Sequence, residues 1–289
     1  MIDEEIRGVR LGPMTALAAA LTAAAPGAAQ AELASDWADA MHGRARLIAG
    51  VVGESSKQRV VVGVEIDIGG DWKTYWRTPG DAGGVPPLFD WSASDNLARA
   101  EVLYPAPKVM TDRAGSIIGY KGPVVFPVLV EPVDGGKPMT LDLRLDYGIC
   151  REICIPVEAS LTLEIPARAQ LPPSAAIASA LARVPRTQRD AGPDDPRLVA
   201  TSARLEGADP RLVIEAEFPG PSGHARVLVE GPEGQFIPLP ERSAEAAGGR
   251  ITFVSRLSDG VDLGELKGKT LRVTLIGALG QSEADLRAD

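Results

Sequence analysis

The chain has 289 residues, room for two ordinary domains after a leader, and 45% of them are apolar, as in a globular protein able to build cores. Its formal net charge is −9, from 30 basic and 39 acidic residues. An acidic balance without a basic patch argues against nucleic acid as a partner.

Taken in chain order, residues 1–31 read as a secretory signal peptide. Arg7 and Arg10 supply positive charge, Leu11 to Ala25 is a short Ala/Leu-rich apolar run, and Ala29-Gln30-Ala31 is a small-x-small cleavage site before Glu32. The run is too short and too poor in large residues to span a bilayer comfortably. The exported product is expected in a compartment where disulfides persist, the periplasm.

Past the leader, apolar residues recur with period two. Val60, Val62, Val64, Ile66 and Ile68 fall on one strand face. Leu141, Leu143, Leu145 and Tyr147 do the same against Asp142, Arg144 and Asp146, and Ala159, Leu161, Leu163 and Ile165 against Ser160, Thr162 and Glu164. These are half-buried antiparallel strands punctuated by Gly/Pro turns. The pattern stops near Pro166. Residues 168–196, with Pro172-Pro173, an Ala-rich stretch from Ser174 to Arg183 and Gly192-Pro193-Asp194-Asp195-Pro196, read as a linker holding a short helix. Alternation resumes over residues 197–289, for example at Leu212, Ile214, Ala216 and Phe218 and at Leu271, Val273 and Leu275, and predicts a second β-sandwich. The fold class expected is all-β, with a first domain at 32–167.

The chemistry concentrates in the two cysteines of the chain, Cys150 and Cys154. In a continuous strand these positions lie about 13 Å apart, too far for a disulfide, so the chain must turn between them. A hairpin that sets Cys150 opposite Cys154 also sets Tyr147 opposite Val157, Leu145 opposite Ala159, Leu143 opposite Leu161 and Leu141 opposite Leu163. Every one of these pairs is apolar and on one face, so the hydrophobic and cysteine registers agree. The same parity sends both thiols to the face of Asp142, Arg144 and Asp146, toward solvent, unless a bulge at Gly148 or Pro156 intervenes.

Three readings of the pair compete. A stabilising bridge closing five residues is worth only about 2 kcal/mol in the chain-entropy model. A metal site needs more ligands, and the two histidines, His42 and His224, are distant in sequence. An exposed, tightly closed disulfide suits thiol–disulfide exchange, with Arg151 favouring a thiolate and Glu152 opposing it. No cofactor site is recognisable, so no cofactor and no metal are expected. Trp72, Tyr75 and Trp76 suit either a packed strand end or a docking surface near the cysteines, a surface to which Tyr120 and Tyr147 would add.

Two stretches resemble the amino-terminal periplasmic domain of the DsbD family of thiol:disulfide interchange proteins, and more closely its copper-sensitivity-suppressor (ScsB-like) branch. They are Asp71 to Pro87, reading DWKTYWRTPGDAGGVPP, and Asp146 to Pro156, reading DYGICREICIP. Tyr104-Pro105, Gly119-Tyr120 and Phe126-Pro127-Val128 add to it. The resemblance covers about residues 45 to 166. It implies an immunoglobulin-like fold, with Cys150 and Cys154 as the redox pair. It further implies electrons taken from a membrane-embedded transporter with its own cysteine pair and passed to periplasmic thioredoxin-like or isomerase-like proteins, in cytochrome c biogenesis or copper tolerance. Such a protein would have protein-disulfide reductase activity. Better-known members space their cysteines more widely and cap them with an aromatic loop; the corresponding Asp112 to Ser116 has no aromatic residue. The alternative is a non-catalytic periplasmic binding or assembly module with a structural disulfide. The segment after residue 197 has no cysteine and is expected to serve docking or spacing.

Overall fold

The computed structural model describes residues 32–53, 59–113, 115–232, 235–257 and 260–289. The leader read at 1–31 lies outside them. Residues 32–289 form one compact unit.

The amino-terminal half is built from β1 (Leu33–Ala34), β2 (Ala38–Ala40), β3 (Gly43–Val52), β4 (Arg59–Ile68), β5 (Lys73–Tyr75), β6 (Leu88–Asp90), β7 (Leu97–Val102), β8 (Lys108–Asp112), β9 (Gly115–Lys121), β10 (Val124–Pro132), β11 (Met139–Cys150) and β12 (Cys154–Ile165). One sheet runs β1-β3-β4-β10-β7, with β2 on β3; the other runs β12-β11-β5-β9-β8, with β6 on β11. The alternation read from sequence faces these sheets together. Val62, Val64, Ile66 and Phe126 from one sheet and Leu141, Leu143, Leu145 and Tyr147 from the other share one buried core. Their polar neighbours point outward, as period-two strands require.

After β12, helix α1 (Ala175–Leu181) is capped by Ser174, whose Oγ accepts from the Ile177 amide. It lays Ile177 and Ala180 on Ile48, Val61 and Val125, the outer face of the first sheet. The carboxy-terminal half comprises β13 (Arg186–Thr187), β14 (Arg197–Arg204), β15 (Arg211–Glu217), β16 (Arg226–Glu230), β17 (Glu241–Glu245), β18 (Arg250–Arg256), α2 (Leu263–Leu266), β19 (Thr270–Ile276) and β20 (Gln281–Arg287). Its sheets, β13-β20-β19-β16 and β14-β15-β18-β17, enclose a second core around Ile214, Phe218, Phe253, Val273 and Leu275.

The fold is therefore all-β, two sandwich-like halves with short helices. The stretch read as a linker is folded onto both halves. α1 covers the first sandwich, and β13 pairs in parallel with β20 of the second. The halves also touch directly: Leu228 joins the first core, and Leu239 and Ile276 pack against it.

Candidate disulfide site

The expected hairpin forms in the expected register. β11 and β12 pair continuously from Met139↔Ile165 to Cys150↔Cys154, including Leu141↔Leu163, Leu143↔Leu161, Leu145↔Ala159 and Tyr147↔Val157. Cys150 and Cys154 are joined by a disulfide across a Cα separation of 4.2 Å. The tip is closed by the Arg151 amide donating to the Ile153 carbonyl at 3.1 Å.

The two sulfurs have unequal surroundings. Cys154 is exposed, with Ile153 beside it at 66% exposure. Cys150 is only 2% exposed. Parity sends it to the outer face of its sheet, as expected, but that face is not open to solvent there. Cys150 lies in a small apolar cluster with Tyr75 and Ile117, flanked by Ala82 and Met110. The expectation that both sulfurs are reachable is corrected on this point.

The cover comes from the segment that joins β5 to β6. Both strands share one edge of β11: β5 pairs at Ile149↔Thr74 and Cys150↔Lys73, and β6 at Arg144 to Asp146. Thr74 is anchored by its hydroxyl, which donates to the Gly148 carbonyl at 2.8 Å. Tyr75 then reaches the disulfide. Its hydroxyl lies 2.8 Å from Cys150 Sγ and 3.0 Å from Cys154 Sγ. A disulfide carries no hydrogen on sulfur, so the phenol is the donor to both. Burial pushes the Tyr75 phenol above its ordinary range, which keeps it protonated at neutral pH.

Glycine makes the cover possible. Gly84 has φ of +150°, and a Cβ there would collide with Cζ of the Tyr75 ring. The backbone thus lies flat on the ring in a conformation few other residues adopt. The Gly148 amide donates to the Val85 carbonyl at 3.0 Å and ties the end of the segment to β11. Its start is tied to β9, where the Ile118 amide donates to the Pro79 carbonyl at 2.8 Å. Asp81 accepts from the Ser116 amide. Residues near Ser116, where the resemblance implies an aromatic cap, therefore support the covering segment, and the aromatic over the sulfurs is Tyr75.

The aromatic residues proposed for docking divide. Tyr75, Trp76, Tyr120 and Tyr147 are buried, at 5% exposure or less, and cannot form a docking surface as they stand. Trp76, Tyr120 and Tyr147 belong to the main core, and the Tyr120 hydroxyl donates to the Pro105 carbonyl at 2.7 Å. Trp72 alone of the five is half-buried. It stacks on His42 with ring centroids 4.2 Å apart, and the Arg151 guanidinium lies 5.9 Å from its ring. A shallow pocket of about 450 Å³ opens here, lined by His42, Arg44, Asp71, Trp72 and Arg151 among others. Among the described residues no cluster of His, Cys, Asp and Glu suited to a metal ion is found.

Sequence reasoning did not single out Arg77. Its guanidinium makes a fork to Glu230, Nε to Oε1 at 2.8 Å and an Nη to Oε2 at 2.7 Å, and it reaches Glu283 at 2.5 Å. It also stacks on Trp76, 4.2 Å from the ring centroid.

Comparison with known proteins bears on residues 49–166, which match the family model described as thiol:disulfide interchange protein DsbD, N-terminal. No curated protein matches the chain. Among solved structures, the N-terminal periplasmic domain of ScsB from Proteus mirabilis superposes with a TM-score of 0.67 at 22% identity, over 89% of this chain and 98% of that one. At this identity the likeness speaks to the fold.

Proposed function

Because residues 49–166 belong to the DsbD amino-terminal domain family, we propose that the protein performs thiol–disulfide exchange through Cys150 and Cys154. The observation that carries this reading is the asymmetry of the bridge: an exposed Cys154 joined to a Cys150 buried beneath a hydroxyl that touches both sulfurs.

The exposed sulfur is the one attacked. An incoming thiolate forms a bond to Cys154 Sγ, the Cys150–Cys154 bond breaks, and its electron pair leaves on Cys150 Sγ. The Tyr75 O–H, already aimed at that sulfur, donates to the new thiolate, a charge-assisted bond stronger than the one to the neutral disulfide. The second thiolate of the donor then displaces Cys154 from the mixed disulfide. The donor dithiol becomes a disulfide and this protein a dithiol. In the reverse sense, Cys154 attacks an acceptor disulfide and Cys150 resolves the intermediate.

The proposed setting is the periplasm. The proposed donor is a membrane-embedded transporter with its own cysteine pair, a partner of the kind that the match to the DsbD amino-terminal family suggests. Thioredoxin-like or isomerase-like proteins are the proposed acceptors. No helix among the described residues is long and apolar enough to cross a membrane. Trp72, with Arg151 and His42 beside the hairpin tip, is the docking surface this reading retains.

Titration of the native protein in glutathione or thioredoxin buffers tests the reading. The pair is expected to equilibrate between about −200 and −300 mV. A bridge that stays oxidised in such buffers until the protein is unfolded would support the structural-disulfide alternative instead.

A further inference from the structure

Tyr75, which touches both sulfurs, stands two residues before Arg77, which leaves the first sandwich altogether. Arg77 is held by Glu230 at the end of β16 and by Glu283 in β20, both in the second sandwich. The group is well enclosed, with side-chain exposures of 18% for Arg77, 15% for Glu230 and 22% for Glu283. Thr78 adds a hydroxyl bond to Glu230 at 3.2 Å.

We infer that the second sandwich sets the reactivity of the disulfide: Glu230 and Glu283 hold Arg77, and Arg77 fixes the segment that presents Tyr75 to the sulfurs. Arg77 is a positioning residue. Two residues span at most about 7 Å of chain, so a fixed Arg77 leaves Tyr75 little freedom. Trp76 between them is buried in the core and stacked under the guanidinium, which stiffens the link. A forked arginine–carboxylate pair fixes direction as well as distance. The covering segment starts directly afterward, at Pro79, and returns to the Tyr75 ring at Gly84. Without the two carboxylates, the guanidinium would be a half-buried charge in need of solvent, and its movement would draw Tyr75 from the sulfurs. The second sandwich, which has no cysteine, would thereby act on the redox pair without touching it.

The inference rests on the exchange reading only in taking the disulfide to be reducible in the folded protein. The test is the rate of reduction by dithiothreitol in the full chain, for the wild type, Glu230→Gln/Glu283→Gln, Tyr75→Phe and the combination. The paired glutamate variant is expected to slow reduction by about two- to fivefold, as Tyr75→Phe does. Combined with Tyr75→Phe it should slow the reaction no further, because both changes remove one interaction. Arg77→Lys, which keeps the charge but loses the fork, should fall between, and serves if the double variant does not fold. A wild-type rate in the glutamate variant with lowered thermal stability would overturn the inference and leave the exchange reading intact. Effects that multiply with Tyr75→Phe would also overturn it. A wild-type disulfide inert to dithiothreitol until unfolding would overturn both.

Discussion

Tyr75→Phe removes one oxygen from the disulfide site and leaves the ring that Gly84 and Gly148 pack against. A hydrogen bond to a charged acceptor contributes about 1.5–3 kcal/mol, and one to a neutral sulfur less than about 1 kcal/mol. The hydroxyl therefore stabilises a full Cys150 thiolate over the disulfide by about 1–2 kcal/mol. About half of that charge has developed when the S–S bond is breaking, so the barrier rises by about 0.5–1 kcal/mol. Reduction by dithiothreitol should slow by about two- to fivefold. The phenol is pushed above its ordinary range by burial. It therefore remains a donor through the pH range in which thiolates attack, and the ratio of wild-type to variant rates should be the same at about pH 7 and about pH 8.5. Stopped-flow reduction followed by tryptophan fluorescence measures both. A variant as fast as the wild type, or faster, would refute the donor role and leave Tyr75 only a cover.

Cys150→Ser leaves the exposed thiol and should accumulate mixed disulfides with thiol proteins, whereas Cys154→Ser leaves a buried one and should not; non-reducing gels of trapped extracts would reveal equal trapping if this is wrong. Gly84→Ala places a methyl group in the Tyr75 ring at a φ of +150°, and should lower stability by about 2 kcal/mol or more in urea melts. Tyr147 is 1% exposed, and burial pushes its phenol up to about 12. Its unfolded value is about 10, so its own contribution is intact below about pH 10 and is lost at about 1.4 kcal/mol per unit from there to about pH 12. Tyr147→Phe should remove that share of the slope and leave those of Tyr75, Tyr104 and Tyr120, whose phenols burial also raises. Because the Tyr147 hydroxyl is buried without a hydrogen-bond partner in the protein, the variant should be no less stable than the wild type at neutral pH.

The hairpin was legible because its information is local. Alternating Leu and charged residues on β11 and Ala, Leu and Ile on β12 fix the pairing, and a slip of one residue would expose every apolar side chain. The opposition of Cys150 and Cys154 follows from that register. What covers the face was not legible, because β11 is contacted there by residues about 75 positions away. Of the two readings open for Tyr75 and Trp76, a packed strand end or a docking surface, burial selects packing, and it removes Tyr120 and Tyr147 from a docking surface as well: composition near a cysteine pair does not say which side of a sheet is closed. Gly83-Gly84 was the available signal. Paired glycines close after an aromatic permit a backbone to lie on a ring.

The segment from Thr74 to Arg77 shows why periodicity could not resolve the site. Thr74 bonds the Gly148 carbonyl within its sheet, Tyr75 turns to the sulfurs, Trp76 enters the core, and Arg77 crosses to the second sandwich. Period two explains the opposition of Tyr75 and Trp76, since neighbours on a strand face opposite sides. It cannot explain Arg77, whose partners Glu230 and Glu283 lie 153 and 206 residues away. A lone arginine after two aromatics reads as a surface charge until a second domain supplies its carboxylates. The enclosed fork makes that charge costly to strand, since removing one partner of a buried pair leaves the other uncompensated. The same cost binds the halves together and holds Tyr75 in place, so the half without cysteines belongs to the chemistry of the half that has them.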